Sequence, residues 1–411
     1  MEKITLELET ITPLFIAGAD PGNIQNEGLR PQSLRGLMRW WFRAAMGGVM
    51  WDRGKYDLKQ LLTQLSMYET NIFGSNSKKS SVTVIFHNPD KIANNIKEFD
   101  ASNYSSQIRY FFFSMKGTKT SAPRKYIKEG TELKVSLIGD KELLKSALAS
   151  LWLMVNLGGI GSRSRRFGGQ IKVKNVSFGL KEKQIVAFTS EKGESYEDFL
   201  RNNIRNIQDY LSKFLDDYPL SASAPNVPPF SMIARNHFSL LIKKHEKAID
   251  WKGVVKDFGN VWVGNTKTFE EGIRREFIDK QLTKQIKDAI FHSAGKISPQ
   301  ECNESRPFMG LPLNYFFKDL QHQLKAELTA YGKQAEYFRR ASPILFGLTK
   351  YNDFLYSRVI IFKSAFLSEW PVSWKISKLN WSVRPKSDMG EILSKVESEL
   401  KKKGWKNVDV M

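Results

Sequence analysis

Three arginines in one short segment are spaced to bind an anion. Arg35, Arg39 and Arg43 recur every four residues, so on a helix they form one stripe that drifts by about 40° per step. Like charges in a row repel one another unless an anion neutralises them. Trp40 lies in the same turn, and planar cations beside aromatic rings suit a nucleic-acid backbone with unstacked bases. The segment therefore predicts a nucleic-acid contact that Arg30 extends upstream; the alternative is a solvated basic face above an aromatic core face.

A second anion-binding pattern is GGIGSRSRRFGG at 158–169, which has five glycines, three arginines and no acid. Glycines let a ligand approach the main chain, exposed N–H groups can hold phosphate oxygens, and arginines add bidentate contacts. A Walker loop needs Lys-Ser/Thr after its glycines, and a Rossmann loop needs a strand before and a helix after; neither fits. A chain-like polyanion is therefore the predicted ligand, and a mobile surface loop is the alternative. The residues predicted to contact it are Gly161, Ser162, Arg163, Ser164, Arg165 and Arg166.

The polar, basic segment KGTKTSAPRKYIKEG at 116–130 is predicted to be an exposed hairpin or flexible loop. Lys119, Arg124 and Lys125 have the composition of an arm that lies on a nucleic-acid strand. A solvated loop without a ligand explains the same composition equally well.

Catalytic and metal patterns are absent from the sequence. The five histidines are scattered without an HExxH or HD motif, and Cys302 is the single cysteine. Ser162 and Ser164 have no base nearby in the sequence. We therefore predict no catalytic residue, metal or cofactor.

Composition agrees with a polyanionic partner. The chain has 411 residues, with 63 Lys and Arg against 43 Asp and Glu, a net charge of +20. The length predicts two or three domains, and 41% hydrophobic residues exclude wholesale disorder. The longest apolar segment, at 147–161, is far shorter than the roughly 20 residues that span a bilayer. We expect a soluble, cytoplasmic protein that binds nucleic acid and no membrane.

Hydrophobic periodicity predicts the elements that position these segments. In the first half it indicates strands at 3–12, 81–87, 109–115, 131–139 and 170–178, with helices at 34–48 and 141–157. The order recurs more weakly in strands at 237–245 and 354–367 and helices at 268–292 and 388–405. Strand, helix, two or more strands, helix, strand is the order of a ferredoxin-like fold. We predict an α+β fold of two tandem ferredoxin-like (RRM-like) domains with insertions and a Gly-rich loop, at 1–180 and 231–411, joined by a segment at 181–230.

Several of these segments resemble the RAMP superfamily of CRISPR-associated proteins. The resemblance lies in TPLFIAG (12–18), LRPQSLRGLMRWWFRA (29–44) and GGIGSRSRRFGGQI (158–171). The tandem aromatics of the second segment are similar to those of the first subunit of the type III-B Cmr effector complex. FMGLPLN (308–314) and RRASPILFGL (339–348) are similar to the C-terminal half of that subunit.

The resemblance implies two ferredoxin-like folds and a place in a cytoplasmic ribonucleoprotein for antiviral defence. In such complexes a guide RNA directs cleavage of complementary target RNA, and the backbone RAMP subunit carries the cleaving aspartate. The first subunit lies near the 3′ end of the guide, beside a neighbouring RAMP subunit. We therefore expect a non-catalytic subunit that contacts guide RNA, target RNA and other Cmr subunits through the helix arginines and the Gly-rich loop.

Two other functions are compatible with the sequence. One is a metal-independent endoribonuclease that processes guide RNA, since other RAMP proteins have this activity, often with a catalytic histidine. The other is a basic scaffold whose arginines pair with an acidic protein partner and bind no RNA.

Overall fold

The structure is a computed structural model, and it describes only part of the chain. The described residues are 1–16, 24, 28–54, 57–87, 92–118, 121–179, 185–215, 227–247, 249–265, 268, 270–291, 300–309, 313–316, 325–331, 336–337, 341–365, 373–376 and 381–410.

Over these residues the chain is an α+β protein with antiparallel sheets. The α-helices are α1 (Pro31–Arg53), α2 (Leu58–Phe73), α3 (Ser106–Phe111), α4 (Lys141–Leu157), α5 (Tyr196–Ser212), α6 (Trp251–Trp262), α7 (Lys280–Phe291) and α8 (Met389–Lys402). The strands are β1 (Glu2–Thr10), β2 (Val82–His87), β3 (Ile96–Glu98), β4 (Lys125–Ile127), β5 (Glu132–Gly139), β6 (Ile171–Phe178), β7 (Phe238–Lys244), β8 (Gly264–Asn265), β9 (Glu270–Glu271), β10 (Glu301–Cys302), β11 (Leu313–Phe316), β12 (Lys325–Tyr331), β13 (Glu336–Tyr337), β14 (Ile344–Tyr351), β15 (Phe354–Phe362), β16 (Ser373–Ile376), β17 (Trp381–Pro385) and β18 (Lys406–Asn407).

Contacts divide the chain into two compact units. The first comprises Met1–Phe258, Leu345–Phe362 and Trp405–Met411, and the second comprises Gly259–Ile344 and Lys363–Gly404. These units are assembled from separated stretches of sequence, whereas the predicted domains are consecutive stretches. The predicted boundaries at 180 and 231 stay a prediction.

The first unit contains an antiparallel sheet of order β2-β5-β1-β6. Its central strand β1 alternates as predicted: Ile4, Leu6 and Leu8 are fully buried, while Glu7 on the other face pairs with Lys134 of β5 at 3.1 Å. Helices α1 and α4 pack against each other and bury the apolar face of this sheet. The strands predicted at 3–12, 81–87, 131–139 and 170–178 and the helix at 141–157 are confirmed.

A second sheet of the first unit has the order β14-β15-β7-β18. Its strand β7 pairs antiparallel with both β15 and β18. When the four strands of each sheet are numbered by their order along the chain, both sheets have the spatial order 2-3-1-4. The strands predicted at 237–245 and 354–367 are thus present, although residues 366 and 367 lie outside the described residues.

The second unit holds a sheet of order β10-β17-β16-β12-β11, with β13 paired to β12. Helix α8, predicted at 388–405, begins with a capping box: the Asp388 side chain accepts from the Glu391 N–H, and the Glu391 side chain accepts from the Asp388 N–H.

Three predicted elements are wrong in type or length. The segment at 109–115 is not a strand: Ser105 caps helix α3 by accepting from the Ile108 N–H, and the 3-10 turn Phe113–Met115 follows. The helix predicted at 268–292 begins only at Lys280. Asp279 starts it by accepting from the Leu282 N–H at 2.8 Å, and β9 and a 3-10 turn occupy the preceding residues.

The third wrong prediction is the end of helix α1, which continues through Gly47 and Gly48 to Arg53. A Cβ atom on Gly48 would lie 1.9 Å from the Ile233 carbonyl oxygen. The Ile233 N–H donates to the Ala44 carbonyl oxygen at 2.8 Å. The glycines therefore let another segment pack directly on the helix and do not terminate it.

Candidate nucleic-acid interface

The Gly/Arg loop, residues 158–169, is held against the segment that follows β1. The Ser162 N–H donates to the Phe15 carbonyl oxygen at 2.7 Å, and the Gly169 N–H donates to the Pro13 carbonyl oxygen at 2.9 Å. The Ile160 N–H closes the loop onto the Gly169 carbonyl oxygen at 2.9 Å. These N–H groups are used within the protein, so the prediction that they hold phosphate oxygens is wrong for them. The alternative of a mobile surface loop does not fit this anchoring either.

Close packing explains why glycine occupies this loop. Gly161 has a φ of +79°, and a Cβ atom there would lie 2.2 Å from the Phe15 carbonyl oxygen. Gly169 has a φ of +57°, and its Cβ atom would lie 1.8 Å from the Ile160 carbonyl oxygen. The glycines at 161 and 169 therefore allow the close approach of the protein's own backbone.

Arg163 is the clearest candidate among those side chains. Its φ is 65°, and its Nε atom is buried without a hydrogen-bond acceptor among the described residues. Burial lowers the pKa of the guanidinium below its usual value, and the nearby Tyr110 phenol opposes this only in part. An unpaired, desolvated cation is costly, and an external anion that reached it would remove that cost.

The other two loop arginines lie on aromatic rings. The Arg165 guanidinium is 5.0 Å from the centroid of the Trp40 ring, and burial lowers its pKa. The Arg166 guanidinium is 4.6 Å from the Phe346 ring centroid, and its backbone bridges to the same residue in β14. Ser162 is exposed and Ser164 is half-buried.

Trp40 links the loop to helix α1. Its ring packs edge-on against Trp41 at 4.8 Å and against Phe362 at 5.7 Å between centroids. Because Arg165 also lies over this half-buried ring, the structure brings the helix and loop segments together. A base stacking on Trp40 would have to displace Arg165, and its RNA contact stays a prediction.

The arginine stripe of α1 has an internal counter-ion that the sequence did not reveal. Glu69 of α2 is 5% exposed; it accepts from Arg39 Nε, and its Oε2 lies 3.3 Å from Arg43 Nη1. The expected anion is therefore supplied in part within the protein, and the RNA contact of Arg39 and Arg43 stays a prediction. Arg35 has no ion pair among the described residues.

Arg35 instead lines a basic cleft, of about 540 Å³, between helix α1 and the loop before β2. Arg39 also lines it, with Lys78 and Lys79 from that loop, and no acid lines it among the described residues. Lys78 donates to the Asn71 side chain at 2.7 Å. The sequence analysis missed these two lysines, although the run GSNSKKSS was a visible signal for a polar, basic loop.

A smaller cleft of about 220 Å³ joins the start of α1 to the Gly/Arg loop. Arg30 and Ser33 line it from the helix, and Gly161 and Ser162 line it from the loop. Arg30 is exposed and occupies the N-cap position of α1. The two segments that carry the predicted contacts therefore share one surface of the first unit.

The basic hairpin is more ordered than predicted. Lys125 begins strand β4, which pairs with β3, and the next two residues, Tyr126 and Ile127, are buried. Arg124 Nη1 is buried, and no acceptor bonds it in the part of the chain that the structure describes. The expectation of an exposed arm is therefore wrong for 124–127, and Lys119 lies outside the described residues.

Arg358 and Gln170 position the loop, and the sequence analysis missed both. Arg358 of β15 is 1% exposed and donates to the carbonyl oxygens of Leu157, Gly158 and Leu348. It also donates to Gln170 Oε1 at 2.7 Å, while Gln170 Nε2 donates to carbonyl oxygens of the loop. The guanidinium thus lies at the negative end of α4, where a cation is favourable. An arginine within an apolar strand gives no sequence signal for such a partner.

Two of the described histidines lie within hydrogen-bond distance of a serine hydroxyl. His245 Nε2 lies 3.0 Å from Ser357 Oγ, and its Nδ1 lies 4.0 Å from Asp257 Oδ2. Ser357 is fully buried, so a substrate could not reach its hydroxyl. Burial lowers the pKa of His245, against the opposing effect of Asp257. His87 Nε2 lies 2.8 Å from Ser136 Oγ.

Within the described part of the chain, the side chains form no cluster of three or more His, Cys, Asp or Glu that could hold a metal ion. None of the helices over those residues is both long and apolar enough to span a membrane.

The sequence matches known proteins over the segments that build this interface. The family model of the RAMP superfamily matches residues 7–172. The CRISPR system Cmr subunit Cmr1-2 of Pyrococcus furiosus is 34% identical over 191 residues, which are 42% of this chain and 96% of that subunit. The chain belongs to the Cmr1 subunits of the RAMP superfamily. Subunit Cmr1-1 of the same organism is 31% identical over 197 residues, and that match spans 50% of its length.

Solved structures share the fold over almost the whole chain. The crystal structure of apo Cmr1 from Pyrococcus furiosus has a TM-score of 0.57 and 21% identity, with 99% of both chains covered. A chain of the cryo-EM structure of type III-B Cmr-beta bound to cognate target RNA and AMPPnP has a TM-score of 0.52 and 15% identity, with 97% of this chain and 99% of that chain covered. At these identities the likeness shows a common fold.

Proposed function

We propose that this chain is a non-catalytic RNA-binding subunit of a cytoplasmic Cmr ribonucleoprotein. It contacts the 3′ region of the guide RNA, the guide–target duplex, or both, beside other Cmr subunits. The match to Cmr1 subunits supports this, as does the fold shared with a chain of a Cmr complex bound to target RNA.

The two sheets of the first unit support a tandem ferredoxin-like architecture. When the strands of each sheet are numbered along the chain and read from the edge formed by β6 or β18, both sheets have the order 4-1-3-2. In the first of these sheets helix α1 follows the first strand and helix α4 precedes the fourth, which is the βαββαβ arrangement of a ferredoxin-like fold. Because the second sheet has the same strand order, we assign a ferredoxin-like architecture to both.

Arg163 carries the proposal. It is a half-buried residue with a desolvated guanidinium, and its Nε has no acceptor among the described residues. Its loop has no acids and lies beside an aromatic side of α1. An RNA phosphate on the accessible side of this half-buried side chain supplies the missing counter-charge, and arginine can bind phosphate through two parallel hydrogen bonds.

The salt dependence of RNA binding tests this proposal. If about six phosphates are neutralised, log K for single-stranded RNA falls with a slope near −4 against log salt, so affinity drops about 300-fold between 50 and 200 mM. Replacing Arg163, Arg165 and Arg166 with alanine should flatten the slope by about 2, which is 0.7 for each lost contact. The matched control changes Lys401, Lys402 and Lys403 to alanine on the exposed end of α8.

Equal slopes for the two triple variants would remove the Gly/Arg loop from the RNA site. Because the loop arginines are partly buried, the unfolding midpoint of each variant in urea has to be measured as well. A variant that has the wild-type urea midpoint and a flatter salt slope has lost RNA contacts while keeping its fold.

The endoribonuclease alternative has a direct test. Purified protein is incubated with labelled repeat RNA in EDTA, and site-specific cuts are sought. We expect no cuts. Cleavage that one His→Ala change abolishes would make the chain a processing enzyme, and His87 and His237 are the variants to examine first because His245 is buried.

Crosslinking identifies which RNA the chain contacts, the guide or the target. RNA is crosslinked to the intact Cmr complex, and both the peptide and the nucleotide of each crosslink are mapped. Crosslinks from 158–169 to the 3′ region of the guide are expected. Crosslinks to protein subunits alone would favour the acidic-partner alternative.

A further inference from the structure

We propose that a second, separate cleft binds one unpaired nucleotide of an RNA strand, with its base on Phe113 and its phosphate on Arg109 or Lys116. This cleft, the Phe113 cleft, lies between helix α3 and the turn that follows it, and Phe99, Tyr110 and Phe112 also line it. The inference rests on the proposed RNA-binding function and adds a site for a base to it.

Phe113 is placed for contact with a ligand. Its side chain is 55% exposed, whereas the neighbouring Phe112 is fully buried and Phe99 is 1% exposed. Met115, at the end of the same 3-10 turn, is also buried. The backbone of the turn is therefore anchored on both sides of an exposed phenyl ring. Any nucleobase can stack on an exposed phenyl ring.

The charges around the ring favour a phosphate-bearing ligand. Lys116 Nζ lies 4.8 Å from the Phe113 ring centroid, so a base that stacks on this face of the ring displaces the exposed lysine side chain. Arg109 is exposed at the cleft. No acid lines the cleft among the described residues. The nearest acid in the sequence is Asp100, and its carboxylate already accepts from Ser102 and Asn103.

The position of the cleft connects it to the RNA interface. Helix α3, which lines it, packs on the Gly/Arg loop: the Phe111 and Phe167 ring centroids lie 5.0 Å apart. The Arg124 N–H donates to the Met115 carbonyl oxygen at 2.9 Å. A strand held by the Gly/Arg loop therefore has the cleft beside it.

The size and composition of the cleft fit a single base. Its volume is about 300 Å³, near the lower end of the range for small-molecule sites. An aromatic floor with two flanking cations is the combination that proteins use for single-stranded RNA. A base paired in a duplex could not present its face to the ring, so the ligand is an unpaired nucleotide.

The test compares full-length variants for binding to an unstructured single-stranded RNA. Phe113→Ala should weaken binding by about 5- to 150-fold and leave the salt slope unchanged, because stacking releases no counterions. Phe113→Tyr should retain the wild-type affinity. The matched control is Phe178→Ala, which removes the exposed phenyl ring, 37% exposed, at the end of β6 and should have no effect. Arg109→Ala should flatten the salt slope by about 0.7.

Each other outcome overturns the inference in a recognisable way. If Phe113→Ala binds RNA like the wild type while the Gly/Arg-loop variant loses its slope, the cleft inference fails and the proposed function stands. If the wild-type chain binds no RNA, both fail. If Phe113→Ala leaves RNA binding intact but weakens assembly with Cmr subunits, the cleft is a protein-docking site. Because Phe113 is exposed, its replacement should not disturb the unfolding midpoint.

Discussion

Replacing Glu69 with glutamine separates the two roles open to the arginine stripe of α1. The buried carboxylate of Glu69 pairs with Arg39 and Arg43. These two arginines therefore either stabilise the packing of α2 on α1 or bind RNA. Glutamine keeps the shape and one acceptor oxygen and removes the negative charge. Stability and RNA binding should then change in opposite directions.

The structure bounds the loss of stability. Breaking a buried ion pair costs about 3–5 kcal/mol, whereas exposed pairs contribute about 0.2–1 kcal/mol each. Glu69 is 6% exposed by its side chain, but Arg39 and Arg43 are 33% and 44% exposed. The remaining amide oxygen can still accept from one arginine. We therefore expect the free energy of unfolding to fall by about 2 kcal/mol, between the two limits.

RNA binding should strengthen. The two guanidinium groups lose their shared internal counter-ion, which is one negative charge, so about one more phosphate can be neutralised and the salt slope steepens by about 0.7. The assay is RNA affinity from 50 to 300 mM salt, with urea unfolding of the same preparations. The matched control is Glu197→Gln on α5, which also removes a carboxylate paired with an arginine, Arg201, at 2.7 Å.

An unchanged salt slope with reduced stability would show that Arg39 and Arg43 are structural and would leave Arg35 alone as the RNA-facing residue of α1. A slope that changes equally in the Glu197 control would show a general effect of net charge. Either result would refute the reasoning for the helix stripe.

Two further predictions concern the support of the Gly/Arg loop. Arg358→Met should lower the free energy of unfolding by about 3 kcal/mol, because four buried acceptors lose their donor while the cost of burying the charge disappears. Proteolysis between 158 and 169 should become faster as well. An unchanged urea midpoint would contradict this prediction. Gly161→Ala should cost about 2–4 kcal/mol, from the left-handed φ and the clash with the Phe15 carbonyl. Gly130→Ala is the matched control, since Gly130 has the same φ of +79° with nothing within 4 Å of a Cβ atom. This control substitution should cost only about 1 kcal/mol. Equal losses for the two glycines would show that the clash is absent.

Local patterns predicted most elements of the first sheet because they depend on neighbouring residues. The strict alternation of Ile4, Leu6 and Leu8 specifies a strand with one buried face, whatever it pairs with. Asp140 and Asp388 stand directly before α4 and α8 and cap them through their own side chains. Local rules failed where tertiary contacts decided: Gly47 and Gly48 look like a helix end, but α1 continues because another segment packs on them.

The candidate site divides in the same way. The sequence alone identified the arginines of α1 and of the Gly/Arg loop, because their spacing and lack of nearby acids are local properties. It also carried the motifs of the RAMP superfamily. It could not show that Glu69, 26 residues beyond Arg43, lies against the stripe, or that Arg358, 201 residues beyond Leu157, holds the end of α4.

Which cations are neutralised inside the protein and which are left for a ligand is therefore a tertiary property. Residue types and spacing determined that this chain is basic, α+β and equipped with two arginine-rich segments. Only the packed structure decided that Arg39 and Arg43 have a buried counter-ion, that the N–H groups of Ile160, Ser162 and Gly169 bond within the protein, and that Arg163 Nε lacks an acceptor among the described residues. The physical reason is that a charge is governed by the groups within a few ångströms of it, and folding brings those groups from distant parts of the sequence.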